Sequence, residues 1–146
     1  MTQRRTGVGA WRAAALGAVL FGGAVAGCGG GSSGPPKTLS LSGEQVPVSE
    51  VTDAYSQMCT ISSQAQSNPA ATVTPFANVE SGLNVLATVL NKDHSQESQR
   101  LLAALSTFQA DLLEKPPATT SAQAASNLLQ TAKQGLVALK ITPPAC

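Results

Sequence analysis

Thr74-Pro75-Phe76-Ala77-Asn78-Val79-Glu80-Ser81-Gly82-Leu83-Asn84-Val85-Leu86-Ala87-Thr88-Val89-Leu90 is the stretch whose spacing decides the fold. Phe76, Val79, Leu83, Leu86 and Leu90 recur at intervals of three, four, three and four, the period of one helix face. Val85 and Val89 widen the stripe. Thr74 reads as the N-cap and Pro75 as the first helical residue, where a missing N–H is tolerated. The polar run Asn91 to His94 reads as the loop that ends the helix.

The pattern repeats on both sides. Downstream, Leu101, Ala104, Leu105, Phe108 and Leu112 form a second stripe, stopped by Lys115-Pro116-Pro117. Ala125, Leu128, Leu129, Ala132, Leu136 and Leu139 form a third, with capping-box spacing at Thr120 and Gln123. Gly135 inside it costs about 1 kcal/mol relative to Ala, which points to close packing or a weak end. Upstream, Val51, Ala54, Tyr55, Met58, Cys59, Ile61 and Ala65 mark another helix, with Ser49 as N-cap, Glu50 in the first turn and Asn68-Pro69 at its end. Four amphipathic helices joined by short polar links predict an all-α fold, a small antiparallel four-helix bundle over residues 39–146. Leu86, Leu105 and Leu129 are expected in its core, which is rich in Ala and thin in large side chains. Before the first helix, Leu39, Leu41, Val46 and Val48 around Ser42-Gly43 read as an extended arm with a bend and one short strand.

Further upstream the composition changes. Residues 28–38 are a cysteine and then Gly, Ser, Pro, Lys and Thr, which make a flexible tether with a stiff step at Pro35-Pro36. Residues 1–27 carry Arg4, Arg5 and Arg12 without an acid, then an uncharged run from Ala13 to Gly27. That run is shorter than the roughly twenty residues a spanning helix needs and fits the apolar region of an export signal. A buried helix is disfavoured by the Gly and Pro residues that follow.

Val25-Ala26-Gly27-Cys28 closes the apolar run and resembles the lipobox of bacterial lipoproteins. The resemblance implies a diacylglycerol thioether on Cys28, cleavage before it, acyl chains such as palmitate, and attachment to the extracytoplasmic face of the cell membrane. Arg4-Arg5 is similar to the start of twin-arginine signals, but Thr6-Gly7-Val8 depart from that pattern and leave the export route undecided.

With Cys28 assigned to lipid, Cys59 and Cys146 remain, an even number in an oxidising compartment. They are expected to form a disulfide that ties the tail after Pro143-Pro144 to the first helix. The alternative is a buried Cys59 and a free terminal thiol. A reactive cysteine is disfavoured, since neither has a Cys-x-x-Cys partner or neighbouring basic residues to lower its pKa.

Composition and motifs exclude several classes. After Cys28 the bases Lys37, Lys92, Arg100, Lys115, Lys133 and Lys140 are outnumbered by eight acids, so nucleic acid is not an expected partner. Gly29 to Gly34 matches the Gly-x-Ser-x-Gly and Gly-x-Gly-x-x-Gly spacings only inside the tether, without the strand and helix that either motif needs. There is no Gly-x-x-x-x-Gly-Lys phosphate loop, and neither catalytic residues nor a cofactor are expected. His94 with Asp93 and Glu97 is the one metal-like grouping, and a solvated loop at a helix start explains it equally. Tyr55, Phe76 and Phe108 read as core.

The functional expectation is a lipid-anchored, non-enzymatic interaction or structural module of the cell envelope, bound to membrane lipid through Cys28 and to an envelope protein partner. The alternative is a chaperone-like or small-ligand-binding lipoprotein. Leu41-Ser42-Gly43-Glu44-Gln45-Val46-Pro47-Val48-Ser49-Glu50-Val51 is similar to the start of the helical domain of parvulin-linked periplasmic chaperones, where an extended segment with a Gly turn enters a long helix. Residues 39–146 are expected to hold the helical bundle alone, without the isomerase domain that those chaperones carry.

Overall fold

The computed structural model describes residues 36–114 and 117–146. The signal and lipobox readings, Cys28 among them, and the tether up to residue 35 lie outside the described residues.

Four helices carry the fold: α1 (Val48–Ala65), α2 (Val73–Asp93), α3 (Ser95–Glu114) and α4 (Ala118–Ala138). A helix of this length spans roughly 30 Å, and each link is far too short to return the chain to its start, so successive helices run antiparallel. Each helix packs on its sequence neighbours, α4 closes on α1, and α2 meets α4 across the diagonal. This is the expected all-α four-helix bundle.

The stripes supply the core. Val51, Met58, Ile61, Val79, Leu83, Leu86, Leu90, Leu101, Phe108, Leu128 and Leu136 are all fully buried, with Ala65, Ala87, Ala125 and Ala132 between them. Leu86 and Leu105 are buried as expected, whereas Leu129 is half-buried. Leu128 takes the central place on α4, which turns its neighbour Leu129 toward the edge of the stripe.

Small residues set the helix spacing. A Cβ on Gly82 would lie 2.6 Å from the Ala54 Cβ and 3.0 Å from the Glu50 carbonyl oxygen, so α1 and α2 touch backbone to backbone there. A Cβ on Gly135 would lie 2.7 Å from Leu90 Cδ1, which explains this glycine as the point of the α2–α4 approach. Gly82→Ala is expected to destabilise the bundle by about 1–2 kcal/mol in urea unfolding, because overpacking against a backbone outweighs the helix propensity gained. A Gly82→Ala protein as stable as wild type, or more so, would show that the helices do not meet at this point.

The helix starts differ from the sequence expectation, each for a local reason. Residues 38–47 form a hairpin, not an arm with one strand: β1 (Thr38–Leu41) pairs antiparallel with β2 (Glu44–Pro47). Ser42 and Gly43 both take positive φ, 49° and 94°, as a two-residue hairpin turn of type I′ requires. Leu39 faces Val46 across the pair and both are buried, with β1 packed against α2 and β2 against α1. The hairpin also replaces the Ser49 cap. The Val48 N–H donates to the Lys37 carbonyl at 3.0 Å, so the helix begins two residues early without a side-chain cap.

The chain enters α2 through a 3-10 turn, Pro69–Thr72, whose last residue is already helical. Thr74 therefore does not cap, and Pro75 falls inside the first turn, where N–H groups have no intrahelical acceptor. In α4 the Pro117 carbonyl accepts from Thr120 and Ser121 at 3.0 and 3.3 Å, which places the helix start ahead of the expected capping box. The loop expected over Asn91 to His94 shrinks to His94 alone. Asn91, Lys92 and Asp93 are exposed residues that continue α2, while His94 donates to the Leu90 carbonyl at 2.7 Å and accepts from the Ser98 N–H at 3.1 Å. The Ser98 hydroxyl then ties α3 to α2 through the Ala87 carbonyl at 2.7 Å.

Candidate functional site

The tail lines one side of an open concavity. Lys140 adopts φ 59°, its N–H donates to the Val137 carbonyl, and the Ile141 N–H donates to the Leu136 carbonyl, each at 2.9 Å. This paired hydrogen-bond pattern ends a helix and turns the chain back. Ile141 is buried as a result, and the segment to Cys146 runs along the bundle toward α1. The Cys59 and Cys146 sulfurs lie at bonding distance, with Cα atoms 5.3 Å apart across 87 residues of sequence. Cys59 is half-buried and Cys146 exposed.

Tyr55 lies one turn before Cys59 on α1, only 3% exposed, with its hydroxyl 3.6 Å from Cys146 Sγ. A disulfide sulfur has no proton, so the phenol is the donor. Desolvation by burial pushes the Tyr55 phenol above its ordinary value, so it retains that proton at neutral pH.

Next to this junction an open groove of about 740 Å³ runs along α4. Leu129, Val137 and Ala138 give it apolar surface, Tyr55 and Cys146 contribute from the α1 side, and Arg100 and Lys133 bring positive charge beside Glu97. Val137 is 57% exposed, a large apolar side chain left to solvent at the groove. Leu129, which the stripe suggested for the core, belongs to this surface instead. The groove is thus an apolar strip edged by charges.

The other candidates separate. Tyr55, Phe76 and Phe108 are buried, and the two phenylalanines pack edge to face with ring centroids 4.9 Å apart. His94 is the pivot between α2 and α3. Among the described residues no group of three or more His, Cys, Asp or Glu side chains is placed to hold a metal. No helix among the described residues is long and apolar enough to cross a membrane.

Sequence reasoning passed over Asp111 and Ser121. Both line a smaller cavity of about 240 Å³ at the end of the bundle where α1 exits, α3 finishes and α4 begins. The signal was present for Ser121, which precedes Ala125 by four residues and continues the α4 stripe. No known protein family, curated protein or solved structure matches this chain.

Proposed function

We propose that this chain is a lipid-anchored, non-enzymatic interaction module of the bacterial cell envelope, held on the extracytoplasmic face of the membrane through Cys28. The observation that carries the reading is Val25-Ala26-Gly27-Cys28, placed after a basic start and an uncharged run and before a flexible tether. Two or more acyl chains on one cysteine give stable attachment without a spanning helix. The tether lets the bundle stand off the surface and sample orientations. The α4 groove is the face offered to an envelope protein, with Leu129 and Val137 for contact and Arg100 and Lys133 for orientation.

Cys28→Ala is expected to abolish lipid labelling and leave the precursor unprocessed at this site. A mutant that runs at mature size and fractionates with membranes as wild type does would overturn the anchor. Mild crosslinking of the anchored protein tests the second half. One stoichiometric protein partner, lost when Val137 is replaced by Glu, is the expected result. The runner-up, a chaperone-like or small-ligand-binding lipoprotein, draws on the hairpin, Gly turn and long helix over residues 41–51. Many unfolded clients, or a co-purifying small molecule, would favour it instead.

A further inference from the structure

Several buried hydroxyls in this bundle are tied to the backbone. Thr72, Ser98 and Thr131 each donate to a backbone carbonyl, at 2.6, 2.7 and 2.7 Å. Ser121 is fully buried, and its Oγ has no partner among the described residues. Asp111 Oδ2 is likewise shut off from solvent without a partner. The two come from different helices, α3 and α4, and both line the cavity of about 240 Å³ at the bundle's end. Buried polar groups are satisfied as a rule, so two orphans on one cavity point to something that fills it.

The lining states what that would be. A carboxylate oxygen only accepts, and a serine hydroxyl accepts as well as donates, so the occupant presents several N–H or O–H donors. A positive charge suits the carboxylate. The remaining wall is Ser67 and Asn68 beside Pro69, Ala70 and Leu112, and the apolar surface of the last three suits a short alkyl body. The volume is several times the roughly 30 Å³ that one water takes in the liquid. One carboxylate is a poor ligand set for a divalent metal, which takes six or more oxygens when it is calcium.

We infer that this cavity is a binding site for a primary ammonium on a short alkyl stem, with Asp111 as the counter-charge and Ser121 as the second acceptor. The same chemistry is supplied by a free alkylamine or by a lysine side chain of another polypeptide. It is separate from the α4 groove and does not depend on it.

Titration of the full chain with n-butylammonium chloride, followed by amide NMR against sodium chloride at equal ionic strength, tests the site. Saturable shifts are expected at Asp111, Leu112 and Ser121, with affinity at least fivefold weaker in Asp111→Asn and also reduced in Ser121→Ala. Nα-acetyl-lysine methylamide reproducing the shifts assigns the site to a lysine side chain, and butylammonium acting alone assigns it to a free amine. Shifts that do not saturate, that sodium produces equally, or that persist unchanged in a folded Asp111→Asn protein would overturn the inference. Lys115 follows Asp111 by four residues, so the titration is repeated in Lys115→Met. Saturation in that variant alone would mean that the chain fills the cavity itself, and would also overturn it.

Discussion

Phe108→Ala is expected to cost about 3–5 kcal/mol of unfolding free energy, because truncating a buried aromatic loses its transfer energy and leaves a cavity. Phe108 is fully buried late in α3, and its ring meets Phe76, near the start of α2, edge to face at 88°. That geometry adds roughly 0.5–1.5 kcal/mol beyond area burial. The side chain is the largest of those fully buried, in a core that is otherwise mostly aliphatic. Domains of this size are stable by about 5–15 kcal/mol in total, so the variant is expected to sit near the edge of folding at 37 °C. Urea unfolding followed by circular dichroism measures it. A loss below about 1 kcal/mol would mean that the α2–α3 end of the bundle is not packed as described.

Cys59→Ser is the second large effect. The bond between Cys59 and Cys146 closes a loop of 87 residues in sequence separation, which in the chain-entropy account stabilises by ~4–5 kcal/mol. The native-state side of the argument is local. Beyond Ile141 the tail has no backbone hydrogen bond outside those of the helix end, and Thr142 and Ala145 are exposed. Without the bond, Ile141, the half-buried Pro143 and Pro144 and the hydrogen bonds at the end of α4 are left to hold the tail. The expected result is a fall in Tm of roughly 10 °C or more for Cys59→Ser, for Cys146→Ser and for reduced wild type alike. Mass spectrometry of unreduced protein is expected to find Cys59 and Cys146 in one linked peptide pair. Two alkylatable thiols in natively purified protein would defeat this account, as would a Tm that reduction leaves unmoved.

The helices were legible because each buries one face, and a buried face writes its period into the order of residues. Val79, Leu83, Leu86 and Leu90, and again Leu128, Ala132 and Leu136, could be placed from spacing alone and are all fully buried. The pairing of Cys59 with Cys146 was legible by count and compartment, and the structure brings the two sulfurs together. Helix starts were less so. Ser49, Thr74 and Thr120 are sound capping residues, but a cap matters only where the first N–H groups lack another acceptor. Here the Lys37 carbonyl, a preceding 3-10 turn and the Pro117 carbonyl stand at those ends, the first of them brought there by the hairpin and the other two just ahead of the expected cap.

By itself the sequence determined the fold class, the number and order of the helices, the stripe each buries and the pair of cysteines at the tail. These follow from hydrophobic period and residue count, which act along the chain. Only the tertiary structure decided that residues 38–47 pair as a hairpin, since strands of four residues are marginal until the α1 and α2 faces cover Leu39 and Val46. It also decided that Gly82 is a contact point, that Leu129 faces a groove while Leu128 fills the core, and that Asp111 and Ser121 share one cavity without partners. Each depends on the distance and rotation between helices far apart in sequence, and those are set by how side-chain volumes interlock, which no local spacing records.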